Sequence, residues 1–173
     1  MAALQFAVLG SNYTSGVSRR PKINVLVLNR KGTCHLSNGE AIASGIKDSS
    51  LGDIIEVNYV DNIEGSLHHQ ALTMHSADII ISPHGAQLTN LALIRPYTVV
   101  IEISPRGYNL QFFQSYVVAA GGLSFEGFED GRSPCFDLLV ISNFPTRVAR
   151  RSVVIHVTGA SIVHSQIQYM QDQ

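Results

Sequence analysis

Five short apolar runs punctuate the chain, at residues 23–28, 54–57, 78–82, 98–103 and 153–157. They are rich in Ile and Val and nearly continuous, which is the pattern of strands buried on both faces, as in a parallel sheet. Apolar residues recur at helical spacing between them. Leu67, Ala71 and Met74 lie at i, i+4 and i+7, behind Asp61-Asn62-Ile63-Glu64, which reads as a capping box. Leu88, Leu91 and Ala92 repeat the pattern after Gly85, and that helix stops near Arg95-Pro96, because the residue before a proline avoids helical geometry. Residues 109–120 predict a further helix closed by Gly121-Gly122, and residues 161–170 a last one. This alternation predicts right-handed βαβ units, and so an α/β fold built on a doubly wound, mostly parallel sheet. Residues 1–21 read as an irregular lead-in and residues 22–173 as one α/β domain. Residues 127–150 carry Gly, Pro, Arg and Asp without periodicity and read as an excursion before the final strand.

Composition agrees with this picture and narrows it. The chain has 173 residues, 45% hydrophobic and 14% charged, with a net charge of −1. That is a globular composition in a chain of single-domain length, long enough to bury a core without staples. No basic or acidic run points to nucleic acid or an anionic membrane surface as the main partner. No stretch approaches the ~20 apolar residues of a membrane span, and the apolar start lacks the basic residues of a signal peptide. The expectation is a soluble chain. Cys34 and Cys135 have no metal-motif spacing and read as free, partly buried thiols. A disulfide between them requires the fold to bring their Cα atoms within about 7 Å.

In open α/β sheets ligands bind beyond the carboxyl ends of the strands, and three predicted strand ends carry chemistry. Ser82-Pro83-His84-Gly85-Ala86 runs from a buried strand through a turn into a helix. Helix N-termini offer N–H groups and a positive dipole end to anions, and His84 adds a hydrogen bond or a charge. The segment reads either as a diphosphate site or as an ordinary βα turn. Asn29-Arg30-Lys31-Gly32 follows the first strand and reads as a phosphate-binding arginine or as a solvated basic turn. Glu102, at the end of the fourth strand, suits two ribose hydroxyls or a structural ion pair. His68 and His75 share a helix face, but no acidic or cysteine ligand stands at matching spacing, so no metal site is assigned. Serine-hydrolase elbow, P-loop and triple-glycine dinucleotide motifs are all lacking.

The stretch Ala77-Asp78-Ile79-Ile80-Ile81-Ser82-Pro83-His84-Gly85-Ala86-Gln87-Leu88-Thr89-Asn90-Leu91, continuing to Pro96 and Val100-Ile101-Glu102, resembles the hallmark of glycosyltransferase family 61. That family includes plant xylosyl- and arabinosyltransferases and animal N-acetylglucosaminyltransferases. Gln87 stands where glycine is common, a variant similar to the animal O-mannose enzymes. Arg30 matches the basic residue after the first strand. His35, in Cys34-His35-Leu36-Ser37-Asn38, takes the second basic position. The likeness spans roughly residues 22–126.

The resemblance implies one Rossmann-like half of a GT-B enzyme. It implies inverting transfer of N-acetylglucosamine, xylose or arabinose from a UDP-sugar to a glycan or protein hydroxyl, without cofactor or bound metal. His84 and Arg30 are then the catalytic candidates. Arg30, His35, His84, Gly85, Ala86, Gln87, Leu88, Thr89 and Glu102 form the nucleotide-sugar site. No general base stands out. The acceptor half is expected elsewhere, so the chain on its own reads as an inactive fragment of a secretory-pathway enzyme of the Golgi or ER lumen. Two other readings stay open: a non-catalytic module that binds a nucleotide-sugar or phosphate, and an unrelated nucleotide-binding α/β protein.

Overall fold

A computed structural model describes residues 2–10, 21–104, 112–128, 139–140 and 154–155. Within them, five strands form one all-parallel sheet: β1 (Ile23–Leu28), β2 (Ile55–Val60), β3 (Ile79–Pro83), β4 (Val99–Ser104) and β5 (Leu123–Phe128). Their order is β2-β1-β3-β4-β5. The chain therefore winds outward from β1 to β2, crosses back to β3, and proceeds the other way through β4 and β5. This is the doubly wound α/β topology expected, and its switch point lies between β1 and β3.

Alternation within the strands divides the core into two layers. Val25, Val27, Ile79, Ile81, Val99 and Ile101 face one side, where Ala43 and Ile46 of α2 (Gly39–Lys47) join them. Leu26, Leu28, Ile80 and Val100 face the other. There they meet Met74 of α3 (Leu67–Ser76), Leu88 and Leu91 of a 3₁₀ helix (Ala86–Leu93), and Val117 of α4 (Gln114–Ala119). Leu9 of α1 (Ala2–Leu9) packs on Ala71 and Leu93 as an outer layer.

Several elements depart from the sequence expectations. Helix α1 occupies the supposedly irregular lead-in. Its run AALQFAVL is apolar around most of its circumference and shows no clean stripe, yet Gln5 anchors it by donating to Ala92 O and Ile94 O at 3.1 and 2.8 Å. Helix α2 was not anticipated, although Ala43 and Ile46 mark its inner face. Ser66, not the Asp61–Glu64 stretch, caps α3, accepting from His69 N at 3.2 Å. Helix α4 ends as expected at Gly121, whose φ of +81° is the left-handed geometry glycine tolerates best. The fifth strand of the sheet is Leu123–Phe128, not residues 153–157. Val154–Ile155 instead pairs antiparallel with Leu139–Val140 in a separate two-stranded ribbon, β7 with β6. Periodicity alone does not say which sheet a short strand joins. The helix expected at 161–170, Cys135, and the start of the helix expected at 109–120 lie outside the described residues. No helix among the described residues is long and apolar enough to cross a membrane.

One buried junction ties the amino-terminal edge of the sheet together. The Asp78 carboxylate accepts from Asn24 N (2.8 Å) and forms a close ion pair with Arg95. Asp78 N donates in turn to Asn24 O at 2.9 Å. Arg95, 2% exposed, also donates to His75 O (2.7 Å) and Ala77 O (3.3 Å). Removing one partner of such a buried pair leaves a charge without compensation, at about 3–5 kcal/mol. Arg95→Ala should therefore lower stability in urea unfolding by that amount. Lys31→Ala, which breaks a pair whose side chains are each 67% exposed, should leave the unfolding midpoint where it is. Equal midpoints for the wild type and Arg95→Ala would contradict this account.

Candidate functional site

The ends of β1, β3 and β4 lie side by side at the carboxyl edge, because the three strands are neighbours in the sheet and parallel. Each contributes one polar group. Pairing continues one residue beyond β3, where His84 N donates to Ile103 O at 2.8 Å. That contact brings the His84 ring over the end of β4. There His84 Nδ1 makes a very short hydrogen bond to Glu102 Oε1, with side-chain exposures of 15% and 7%. With Nδ1–H donating to the carboxylate, the imidazole is held in one orientation. Phe113 supports its face from the entrance to α4, with ring centroids 5.2 Å apart.

Arg30 reaches across from β1. Its guanidinium donates to His84 O at 3.4 Å and lies against the backbone of Gly85. Thus Arg30, His84, Gly85 and Glu102, four residues chosen from the sequence, do come together, and they do so at the switch point. Glu102, expected at the ribose, is engaged by His84 through Oε1.

The other expected residues sort differently. His35 is exposed, and its Nδ1–H donates to Gly32 O at 2.7 Å, within its own loop. Leu88 is fully buried in the core, and its N–H closes the first helical turn on Gly85 O at 2.9 Å. That leaves the N–H groups of Ala86 and Gln87 ahead of the first turn, at the mouth of the site. The helix they open is 3₁₀ rather than α. Gln87 Nε2 donates to Ser82 Oγ at 3.1 Å, and its amide oxygen is buried without a hydrogen-bond partner among the described residues. Thr89 is exposed and donates to Ala86 O at 2.8 Å.

Two residues that shape the site escaped the sequence reading. Asn29, 3% exposed, accepts from Leu36 N at 2.7 Å and donates to Leu36 O at 3.0 Å. It thereby closes the loop that carries Arg30. It also donates to Tyr59 at 3.0 Å, beside a phenol whose pKa is pushed up, chiefly by burial. A polar residue directly after an apolar strand was the available signal. Phe113 is the other, lying just beyond the part of the 109–120 helix that the structure does not describe. Lys31 turns outward to Glu64 at 3.4 Å, and the Asn62 amide, then Lys31, hold that carboxyl below the usual range. Cys34, expected to be partly buried, is exposed, with φ +58°.

Two histidines of α3 outside the site are tied to backbone. His68 Nδ1 contacts Val8 O at 2.7 Å, and the buried His75 contacts Leu93 O at 3.2 Å. No cluster of three His, Cys, Asp or Glu able to hold a metal ion occurs among the described residues.

No curated protein matches the chain. The family model described as Glycosyltransferase 61 matches residues 7–101, from within α1 to the residue before Glu102. That span is more than half of the 173 residues and includes Arg30, His84 and Gly85. With an all-parallel doubly wound sheet beneath it, the chain belongs to glycosyltransferase family 61.

Proposed function

We propose that the carboxyl edge of this sheet binds the diphosphate of a UDP-sugar, and that it serves inverting transfer of N-acetylglucosamine, xylose or arabinose to a glycan or protein hydroxyl. The observation that carries the reading is the convergence of Arg30, the His84–Glu102 pair and the first N–H groups of the 3₁₀ helix at the switch point. Doubly wound sheets bind nucleotides there. A departing diphosphate develops negative charge, and preorganised donors stabilise it without reorganising at the moment of reaction. Arg30 supplies a permanent charge on a planar fork of donors. His84 supplies a second donor, with Glu102 fixing the orientation of the ring. In this reading Glu102 acts through His84, Ala86 and Gln87 act through their backbone N–H groups, and His35 plays no direct part.

The reaction in this scheme needs no metal, because the basic side chains take the role a divalent ion would play at the leaving group. In this scheme a second α/β unit facing the open edge, in a GT-B arrangement, binds the acceptor and supplies the base that deprotonates its hydroxyl. The nucleotide-sugar unit of residues 22–173 then binds donor but does not complete transfer by itself. An enzyme of this type would act in the secretory pathway.

Calorimetric titration of the chain with UDP tests the reading. Arg30→Ala and His84→Ala should each weaken binding roughly tenfold or more, the scale of a lost charge-assisted hydrogen bond, with thermal stability retained. Wild-type affinity in both variants would remove the diphosphate assignment. Glu102→Gln distinguishes the two roles available to that carboxylate. If it acts through His84, it should weaken UDP and inorganic pyrophosphate by the same factor. A loss confined to UDP would return Glu102 to the ribose.

A further inference from the structure

Gly85 is the glycine of the His-Gly-Ala motif, and the ordinary reason for a glycine in a tight turn does not apply to it. Its backbone is extended, with φ 162° and ψ 169°, a conformation any residue adopts. The space beside it is another matter. A Cβ built on Gly85 would stand 2.1 Å from one terminal nitrogen of Arg30, 3.0 Å from its Cζ and 3.3 Å from its Cδ. Apart from its chain neighbours, no other atom of the described residues lies nearer to that point. The guanidinium and the end of its stem lie across the bare backbone, and from there Arg30 reaches His84 O.

We infer that Gly85 is a positioning residue for Arg30: its missing side chain is the seat that lets the guanidinium cross from the end of β1 to the first turn of the 3₁₀ helix. The inference rests on the diphosphate reading for its functional consequence, but not for its geometry. The neighbour a Cβ would strike is the mobile end of a side chain rather than backbone. A methyl group therefore displaces the arginine and leaves the turn intact. Arg30 then loses its seat on the Gly85 backbone and its bond to His84 O, and the site loses its permanent charge.

The test is a double-mutant cycle on the full chain, with UDP as the probe. Gly85→Ala should weaken UDP binding roughly tenfold or more, as Arg30→Ala does, while the melting temperature stays that of the wild type. In the Arg30→Ala background the same Gly85→Ala change should cost nothing further, because there is no guanidinium left to displace. A glycine needed by the turn itself would cost the same in both backgrounds, or would unfold the domain, and either result overturns the inference. A second readout is independent of ligand: the Arg30 Nε–H resonance of the free protein should shift in Gly85→Ala. An unmoved resonance overturns the seat even if UDP binding falls. A shifted resonance with UDP affinity unchanged in Arg30→Ala would keep the seat and sink the diphosphate reading instead.

Discussion

The open end of this sheet depends on its closed end. Asp78 joins the start of β1, the start of β3 and, through Arg95, the segment that leaves the 3₁₀ helix. Parallel neighbours have no hairpin to hold them in register, and β1 and β3 are separated in sequence by an entire βα excursion. The carboxylate supplies the missing constraint, because it is largely buried and is satisfied only when three segments meet. Once the amino-terminal edge is pinned, the length of each strand determines where its carboxyl end falls. Arg30 and His84 then stand opposite one another across the β1–β3 boundary.

The site is assembled largely from backbone geometry, with few side chains added. His84 is carried over β4 by the extra ladder hydrogen bond to Ile103 O. Glu102 is presented by the pleat, on the same face of β4 as Val100. The Arg30 loop is closed by Asn29, whose amide imitates a strand partner by meeting both the N–H and the C=O of Leu36. The long side chain of Arg30 spans the remaining gap. Such an arrangement places the Arg30 charge beside the His84–Glu102 pair at the switch point. It requires no insertion or specialised loop.

The parallel sheet was legible because β-branched runs such as Ile79-Ile80-Ile81 and Val99-Val100-Ile101 admit few other interpretations. The site residues were legible because they follow those runs directly. Elements with mixed signals were not. Helix α1 hides its packing in an apolar run without a stripe. The stretch Leu123-Ser124-Phe125 alternates like an edge strand, whereas 153–157 looks like a buried one, and the sheet took the former. Partnerships were harder still: that Glu102 meets His84 follows from the β3–β4 register, Ser82 opposite Glu102, which no spacing in the sequence discloses. The clearest lesson is Gly85: the sequence draws attention to it as a turn, whereas the neighbour a Cβ there would meet is a side chain 55 positions upstream.

The 3₁₀ helix has a consequence for how this segment tolerates change in length. Leu88, Leu91 and Ile94 are spaced by three and all are 0% exposed. In an α-helix that spacing drifts around the axis, but at three residues per turn it stacks into a straight column. A column with an integral period is a phase lock. Adding or deleting one residue between Gly85 and Ile94 rotates everything beyond it by about 120°, a full face of the helix. Substitutions within the segment can be absorbed one side chain at a time, whereas a shift in length moves the whole row out of the core at once. The segment is therefore built to absorb a change of residue far more readily than a change of length.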